Sequence, residues 1–159
     1  MENIQSADEH LKRAVDYVLG LVAKKEYSVL EVRRKLSSRY PEEIVEKSLK
    51  YCIDRNYVSD ERFAKMYVRF RFHGNYGPVR IRYELKEKGI CESIAEEALS
   101  DPEYDFEETL RDLVQRKASS TDLGDYGARS KLAAFLVRRG FESSQVLNMI
   151  GKLSRDPEE

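Results

Sequence analysis

The sequence predicts an all-α protein built from tandem three-helix modules, and three observations carry this prediction. Apolar residues recur at three- and four-residue steps along the whole chain, whereas the alternation typical of a β-strand is nowhere convincing. Charged residues make up 36% of the sequence, against 8 glycines and 4 prolines, which favours charged helices over strands and low-complexity linkers. Signals that start and stop helices return at intervals of roughly 50 residues, so about nine helices are expected.

The first module, residues 7–56, is predicted to contain three amphipathic helices. The first of them has an apolar face formed by Leu11, Ala14, Val15, Val18, Leu21 and Val22. Ser28 and Glu31 have the spacing of a capping box, which predicts a second helix beginning at Val29. Pro41 fits the first position of a third helix, because its missing N–H costs nothing there. The buried face of that helix is expected to hold Ile44, Val45, Leu49, Cys52 and Ile53.

The second module, residues 57–101, repeats the pattern. Its first helix, the fourth of the chain, has a predicted apolar stripe formed by Phe63, Met66, Tyr67 and Phe70. Gly74 is expected to end this helix, and Gly77 with Pro78 restarts the chain. Gly89 is expected to end the fifth helix. The fifth and sixth helices are anchored by Ile81, Leu85, Ile94, Ala95, Ala98 and Leu99.

The third module, residues 104–154, is predicted to hold the last three helices, the second of which ends at Gly140. The apolar anchors of these helices are Phe106, Leu110, Leu113, Val114, Leu132, Phe135, Leu136, Val146, Leu147 and Ile150. The repeat is visible in the letters, since Asn75–Pro78 recurs as Asp125–Ala128. Such modules stack into an elongated, curved array with long surfaces for a partner, so the fold indicates binding.

The charges are balanced in total but unevenly spread. The formal net charge is -1, from 28 basic and 29 acidic residues, which argues against a nucleic-acid binder held by overall charge. Basic residues are in excess from Arg62 to Lys88, and the stretch 92–108 is acidic. Within the basic segment, Arg80, Glu84 and Lys88 follow at four-residue steps and are interpreted as a structural ladder of ion pairs.

Several classes of function lack support in the sequence. No stretch has the apolar length needed to cross a bilayer and no signal peptide is visible, so a cytoplasmic protein without membrane contact is expected. His10 and His73 have no neighbours at metal-ligand spacing, and the glycines occur singly rather than in phosphate-binding clusters. Cys52 and Cys91 lie in apolar helical patterns without CxxC spacing, which favours small buried thiols. An enzyme, a metal site and a cofactor are therefore not expected.

Seven residues of the second module are the candidates for binding a partner or nucleic acid: Arg62, Lys65, Arg69, Arg71, Tyr76, Arg82 and Lys86. The first three recur at three- and four-residue steps opposite the predicted apolar stripe, and so form a positive ridge. This ridge could meet phosphates or carboxylates. A single ridge of this kind is more often plain solvated surface, which is the alternative interpretation.

The other candidates lie around the connecting loop and on the fifth helix. Arg82 and Lys86 stand on a face without a matching acid, and Arg71 and Tyr76 flank the loop. Cations interleaved with aromatic rings suit single-stranded nucleic acid or an acidic protein groove, because bases stack on rings while cations meet phosphate. Packing of Tyr76 against the core is an equal alternative.

A resemblance to a known family rests on four segments that follow one another along the chain in the same order as in that family. They are Tyr57–Ala64, Tyr67–Arg69, Gly77–Leu85 and Lys88–Ile90. They closely resemble the RecX family of bacterial recombination regulators. The first module agrees with that family at Tyr27–Ser28 and Glu31, and the third through its helical spacing and Gly140. One departure is Cys91, where a polar capping residue is usual, which leaves the start of the sixth helix open.

The resemblance implies a regulator of the RecA recombinase. It implies binding to the RecA filament on single-stranded DNA, with inhibition or modulation of recombinase, ATPase and coprotease activity, and no cofactor. The chain is expected to be a monomer that meets single- or double-stranded DNA weakly or through the filament. A stand-alone DNA-binding protein of helix-turn-helix type is the alternative, and its test is binding to bare DNA. Cations outside the second module are alternative contacts: Lys24, Lys25, Arg33, Arg138 and Arg139.

Overall fold

The computed structural model describes residues 2–155, with side chains from residue 5 onward. Within that range the chain forms nine α-helices and no strand, which confirms the predicted all-α class. The helices are α1 (Glu2–Val22), α2 (Val29–Ser37), α3 (Glu42–Asp54), α4 (Asp60–His73), α5 (Pro78–Glu87), α6 (Glu92–Leu99), α7 (Phe106–Ala118), α8 (Tyr126–Arg139) and α9 (Ser143–Arg155). None of these helices is long and apolar enough to span a membrane.

The helices fall into two compact units. Unit 1 comprises Met1–Met66 and Leu85–Ala95, and unit 2 comprises Tyr67–Glu84 and Glu96–Glu159. The division therefore runs within α4, α5 and α6. The predicted division into three modules stays a prediction.

The core of unit 1 forms where α1, α2 and α3 pack together. Its buried residues are Ala14, Val15, Val18, Val32, Leu36, Ile44, Val45, Leu49, Cys52 and Val58. Burying each Val, Leu or Ile contributes about 1.5–3 kcal/mol, so this cluster is a major source of stability in unit 1. Ile53 was predicted to join the buried face of α3, but it is exposed.

The start of α2 has the capping box that the sequence predicts. Ser28 Oγ accepts a hydrogen bond from the Glu31 N–H at 3.2 Å, and the Glu31 carboxylate accepts one from the Ser28 N–H at 3.4 Å. Asp60 Oδ1 accepts from the Val29 N–H at 2.9 Å, so a further unpaired donor of the helix end is satisfied. Pro41 lies one position earlier than predicted, because its extended backbone makes it the N-cap of α3.

The core of unit 2 forms where α7, α8 and α9 pack together. Its buried residues are Leu110, Leu113, Val114, Leu132, Leu136, Phe141, Val146, Met149 and Ile150. Asp105 and Asp125 cap α7 and α8 through side-chain hydrogen bonds, and Gly140 ends α8 in the left-handed conformation, as predicted. The prediction that Leu147 belongs to this core is wrong, since its side chain is 63% exposed.

Helix α4 buries Phe63, as the sequence predicts, but its buried face continues along Ala64 and Val68 and not along Met66 and Phe70. Ala64 and Val68 are fully buried, and Phe72, four residues further on, packs against the rings of Tyr104 and Phe106. Phe70 lies two residues from Val68 and hence about 200° around the helix. Its side chain is 68% exposed. The predicted stripe is therefore wrong at Phe70, and Met66 is exposed as well.

Candidate partner-binding surface

Arg62 is held in place by groups of unit 1. Its Nε lies 2.5 Å from the Glu26 carboxylate, and its two terminal nitrogens donate to the carbonyl oxygens of Asn56 and Tyr57 at 3.0 and 3.1 Å. Three donors of the guanidinium are thus used to fasten the segment between α3 and α4. Binding of a partner by Arg62 would have to compete with these contacts.

Arg71 belongs to a hydrogen-bonded network inside unit 2. Its Nε and Nη2 donate to the two oxygens of Glu84 at 2.8 and 2.9 Å, a bidentate pair in which both side chains are largely buried. The Tyr67 hydroxyl also donates to Glu84, at 2.5 Å, and Arg80 Nε does so at 2.9 Å. Burial favours the protonated carboxyl, but hydrogen bonds from these three groups hold the pKa of Glu84 below its usual value.

The same network corrects the predicted ladder on α5. Arg80 and Glu84 do pair across one helical turn. Lys88, however, pairs with Glu31 of α2, with 3.9 Å between Lys88 Nζ and Glu31 Oε2. Glu84 instead pairs with Arg71 of α4, so the acid at the centre of the expected ladder connects the parts of α4 and α5 that belong to unit 2.

Tyr76 stands among three guanidinium groups in unit 2. The Cζ atoms of Arg71, Arg80 and Arg139 lie 4.5, 4.7 and 4.1 Å from the centre of its ring. Arg139 also donates to the Gly74 carbonyl at 2.7 Å. Cation–π contacts are worth about 0.5–1 kcal/mol each at partly exposed sites. Tyr76 therefore packs the loop between α4 and α5 against the end of α8.

Arg82 has an acidic partner that the sequence pattern does not reveal. It forms an ion pair with Glu96 of α6, in which both side chains are 45% exposed. The prediction that Arg82 lies on a face without a matching acid is therefore wrong. The physical reason is that the acid comes from the next helix and not from the same one, so helical spacing within α5 gives no sign of it.

Three of the seven candidate residues keep their cations available. Lys65, Arg69 and Lys86 are exposed, and none of them forms an ion pair with an acid in the described part of the chain. Phe70, which sequence reasoning assigned to the core, is exposed directly after Arg69. The available signal was that α4 carries large apolar residues on more than one side, which a single buried face does not explain.

The cysteines differ from each other in exposure. Cys52 is buried in unit 1, as predicted, whereas Cys91 is exposed at the position before α6, so the prediction of two buried thiols is wrong at Cys91. The Cys91 Sγ lies 3.4 Å from the Ser93 hydroxyl. No cluster of three or more metal-ligating side chains occurs between residues 5 and 155.

Comparison with known proteins connects these features to a family. Residues 59–99 match the family model described as RecX, second three-helix domain, and residues 103–148 match the one described as RecX, third three-helix domain. The regulatory protein RecX of Cronobacter sakazakii is 33% identical over 140 residues, which cover 81% of this chain and 85% of that protein. The chain belongs to the RecX family. The RecX of Pseudomonas savastanoi pv. phaseolicola is 34% identical over 136 residues, or 85% of each chain.

Solved RecX structures have the same fold. The crystal structure of RecX from Lactobacillus salivarius is 24% identical and matches with a TM-score of 0.79 over 94% of this chain and 99% of that one. A second crystal structure, of a regulatory protein RecX, is 27% identical with a TM-score of 0.78 over 92% of this chain and 74% of that one. The resemblance seen in the sequence is thus confirmed. Membership of the family supports a RecX regulatory role.

Proposed function

We propose that the chain regulates RecA by binding the RecA filament on single-stranded DNA, and that it thereby inhibits or modulates recombinase, ATPase and coprotease activity. The observation that carries the proposal is family membership, since curated RecX proteins align with 81–87% of the chain. The chain acts by binding and not by catalysis, in keeping with the regulatory name of these relatives.

The contact is proposed to centre on the exposed cations of α4 and α5. Lys65, Arg69 and Lys86 can each meet a phosphate or a carboxylate without first giving up an acidic partner, so their binding costs less desolvation and rearrangement than that of Arg62 or Arg71. Tyr76 and Arg82 are proposed as further contacts in supporting roles, because each is already packed or paired within unit 2.

Phe70 is proposed to be an apolar anchor of the same surface. Large aromatic side chains at the centre of an interface carry a disproportionate share of binding energy. The Phe70 side chain is mostly exposed and is preceded by the exposed Arg69. An aromatic ring beside a cation suits both a protein groove and a stacked base.

Fluorescence anisotropy of a labelled single-stranded oligonucleotide, with and without RecA, tests the proposal against the alternative of a stand-alone DNA-binding protein. At physiological salt, we expect the chain to bind the RecA-coated oligonucleotide and to bind the bare one weakly. Strong binding to bare DNA that falls steeply with salt would favour the helix-turn-helix alternative instead. The net charge of -1 already counts against that alternative.

Two double variants make this experiment specific. Lys65→Glu with Arg69→Glu reverses two cations of the proposed surface. Lys12→Glu with Arg13→Glu makes the same change in charge at two exposed positions of α1. Only the first pair is expected to weaken binding to the RecA-coated oligonucleotide, and equal loss in both would mean that overall charge, and not this surface, controls binding.

A further inference from the structure

An open groove of about 600 Å³ lies along α8 and α9 of unit 2. Tyr126, Arg129 and Ala133 line it from α8, and Leu147, Gly151 and Arg155 line it from α9. The residues on each side recur at three- and four-residue steps, so each wall is one face of a helix. The groove has the dimensions of a binding site for a short segment of another molecule.

The walls of the groove include large apolar side chains that are exposed to solvent. Tyr126 is 77% exposed and Leu147 is 63% exposed, and both line the groove. Beneath them, Ile150 is buried and supplies an apolar floor. Covering Leu147 would remove its apolar surface from water and so favour association.

Gly151 leaves room in the groove for an incoming side chain. A Cβ atom built on Gly151 would meet no heavy atom within 4 Å, so the space above this backbone is open. Glycine in the middle of a helix is less favourable for helix stability than alanine. A residue with a side chain at this position would favour the helix and would reduce the open space.

The charge around the groove selects an acidic partner. Helices α8 and α9 contain no acid and six cations, namely Arg129, Lys131, Arg138, Arg139, Lys152 and Arg155, and the carboxylate of Asp125, directly before α8, is engaged in capping that helix. Two of these cations line the groove, and no acid does so among the described residues. A basic segment would be repelled here, whereas carboxylates would be attracted from a distance of several ångströms.

The chemistry of the walls favours a protein segment over nucleic acid. Bases bind through stacking on aromatic rings, and Tyr126 is the one aromatic lining residue in the part of the chain that the structure describes. The other apolar walls are aliphatic, which suits the leucine or phenylalanine side chains of an amphipathic helix laid in a groove.

We propose that the groove between α8 and α9 binds an acidic amphipathic segment of another protein, with an apolar side chain inserted above Gly151 and carboxylates facing Arg129 and Arg155. The site goes beyond the proposed function, because it contains none of the seven residues of the surface assigned to RecA. A failure of the RecA proposal would therefore leave the groove proposal intact, and the reverse also holds.

Binding of a fluorescein-labelled peptide of glutamate, alanine and leucine, with its leucines at helical spacing, tests the proposal by fluorescence anisotropy. Gly151→Leu places a side chain in the groove, starting from a Cβ position with no heavy atom within 4 Å. We expect it to weaken peptide binding by at least about tenfold without lowering the melting temperature. Gly20→Leu is the matched control, because Gly20 is also a helical glycine with open space around its Cβ position. Peptide affinity that is equal in the two variants overturns the proposal, as does the absence of binding to the wild type.

A second pair of variants tests the charge in the groove. Arg155→Glu is expected to weaken binding of the same peptide several-fold, whereas Lys152→Glu, an equal change outside the lining, is expected to have little effect. A version of the peptide with lysine in place of glutamate should not bind. Tight binding of the lysine peptide would contradict an acidic partner.

Other occupants of the groove give distinct results. A labelled oligonucleotide that binds the wild type and is released by Gly151→Leu would overturn the proposal in favour of nucleic acid. A dimer in light scattering that becomes a monomer in Gly151→Leu would show a second copy of the chain as the occupant. Peptide affinity that rises about tenfold on removal of residues 156–159 would assign the groove to that acidic segment, and we expect less than about a twofold change.

Discussion

Gly77 and Gly140 are in direct backbone contact, such that a Cβ atom on Gly77 would lie 2.3 Å from the Gly140 carbonyl oxygen. The Gly77 N–H donates to the Arg139 carbonyl at 2.8 Å, and the Val79 N–H donates to the Gly140 carbonyl at 2.9 Å. The atoms that would clash with this Cβ atom belong to the backbone of Gly140 and Phe141, so a change of side-chain rotamer cannot relieve the clash. We therefore expect Gly77→Ala to lower the free energy of unfolding by about 1–3 kcal/mol in urea denaturation.

Gly127→Ala is the matched control for this substitution. Gly127 occupies the corresponding place in the sequence repeat, but its Cβ position is nearest to an Asp125 carboxylate oxygen at 3.3 Å, which belongs to a flexible side chain. We expect its stability to stay within about 0.5 kcal/mol of the wild type. If the two alanine variants unfold at the same urea concentration, the contact between Gly77 and Gly140 does not constrain the fold.

Glu84 is expected to make the stability of the protein depend on acid pH. Its pKa in the folded protein lies below the usual value of 4.5, so the stability it contributes is present above that value and is lost as the pH falls through the folded pKa. Glu84→Gln leaves Arg71 without its acid and should cost about 3–5 kcal/mol at neutral pH. In urea denaturation below about pH 4, the free energy of unfolding of the variant should come closer to that of the wild type. A difference that stays constant down to pH 2 would contradict this role.

The two cysteines are expected to differ in reactivity. The Ser93 hydroxyl and the N–H groups at the start of α6 lower the pKa of the exposed Cys91 thiol, whereas burial raises the pKa of Cys52. Iodoacetamide at neutral pH should therefore alkylate Cys91 first, as read by mass spectrometry of tryptic peptides. Denaturant should abolish the difference, and equal rates in the native protein would show that unit 1 opens faster than the reaction.

Phe70 and Phe63 are expected to respond differently to truncation. Phe63 is buried, so Phe63→Ala should lower the free energy of unfolding by about 3–5 kcal/mol. Phe70 is mostly exposed, so Phe70→Ala should change it by less than about 0.5 kcal/mol. Thermal denaturation followed by circular dichroism compares the two variants. A large loss of stability for Phe70→Ala would show that Phe70 packs in the core.

Local signals explain why much of the fold is readable from the sequence. The capping box of Ser28 and Glu31 and the left-handed Gly140 act within a few residues of the chain, and both occur as predicted. Helical spacing likewise locates nine helices within residues 2–155. Such features depend on the identity of near neighbours and need no knowledge of tertiary packing.

Tertiary contacts explain where sequence reasoning fails. Helix α4 has apolar residues on several sides, and only the packing of Phe72 decides that Phe70 faces outward. The pairing of Arg82 with Glu96 joins two helices, so neither helix alone predicts it. Tertiary structure thus leaves Lys65, Arg69 and Lys86 as the candidate cations without an acidic partner among the described residues.

The single-stranded-DNA-dependent ATPase rate of RecA from the same organism tests the central claim most directly. We predict that the rate falls when this protein is present at substoichiometric amounts. The Lys65→Glu, Arg69→Glu variant should need at least about tenfold more protein for the same inhibition, and the Lys12→Glu, Arg13→Glu control should act like the wild type. An ATPase rate that is unchanged by an equimolar amount of folded, helical protein would contradict the claim.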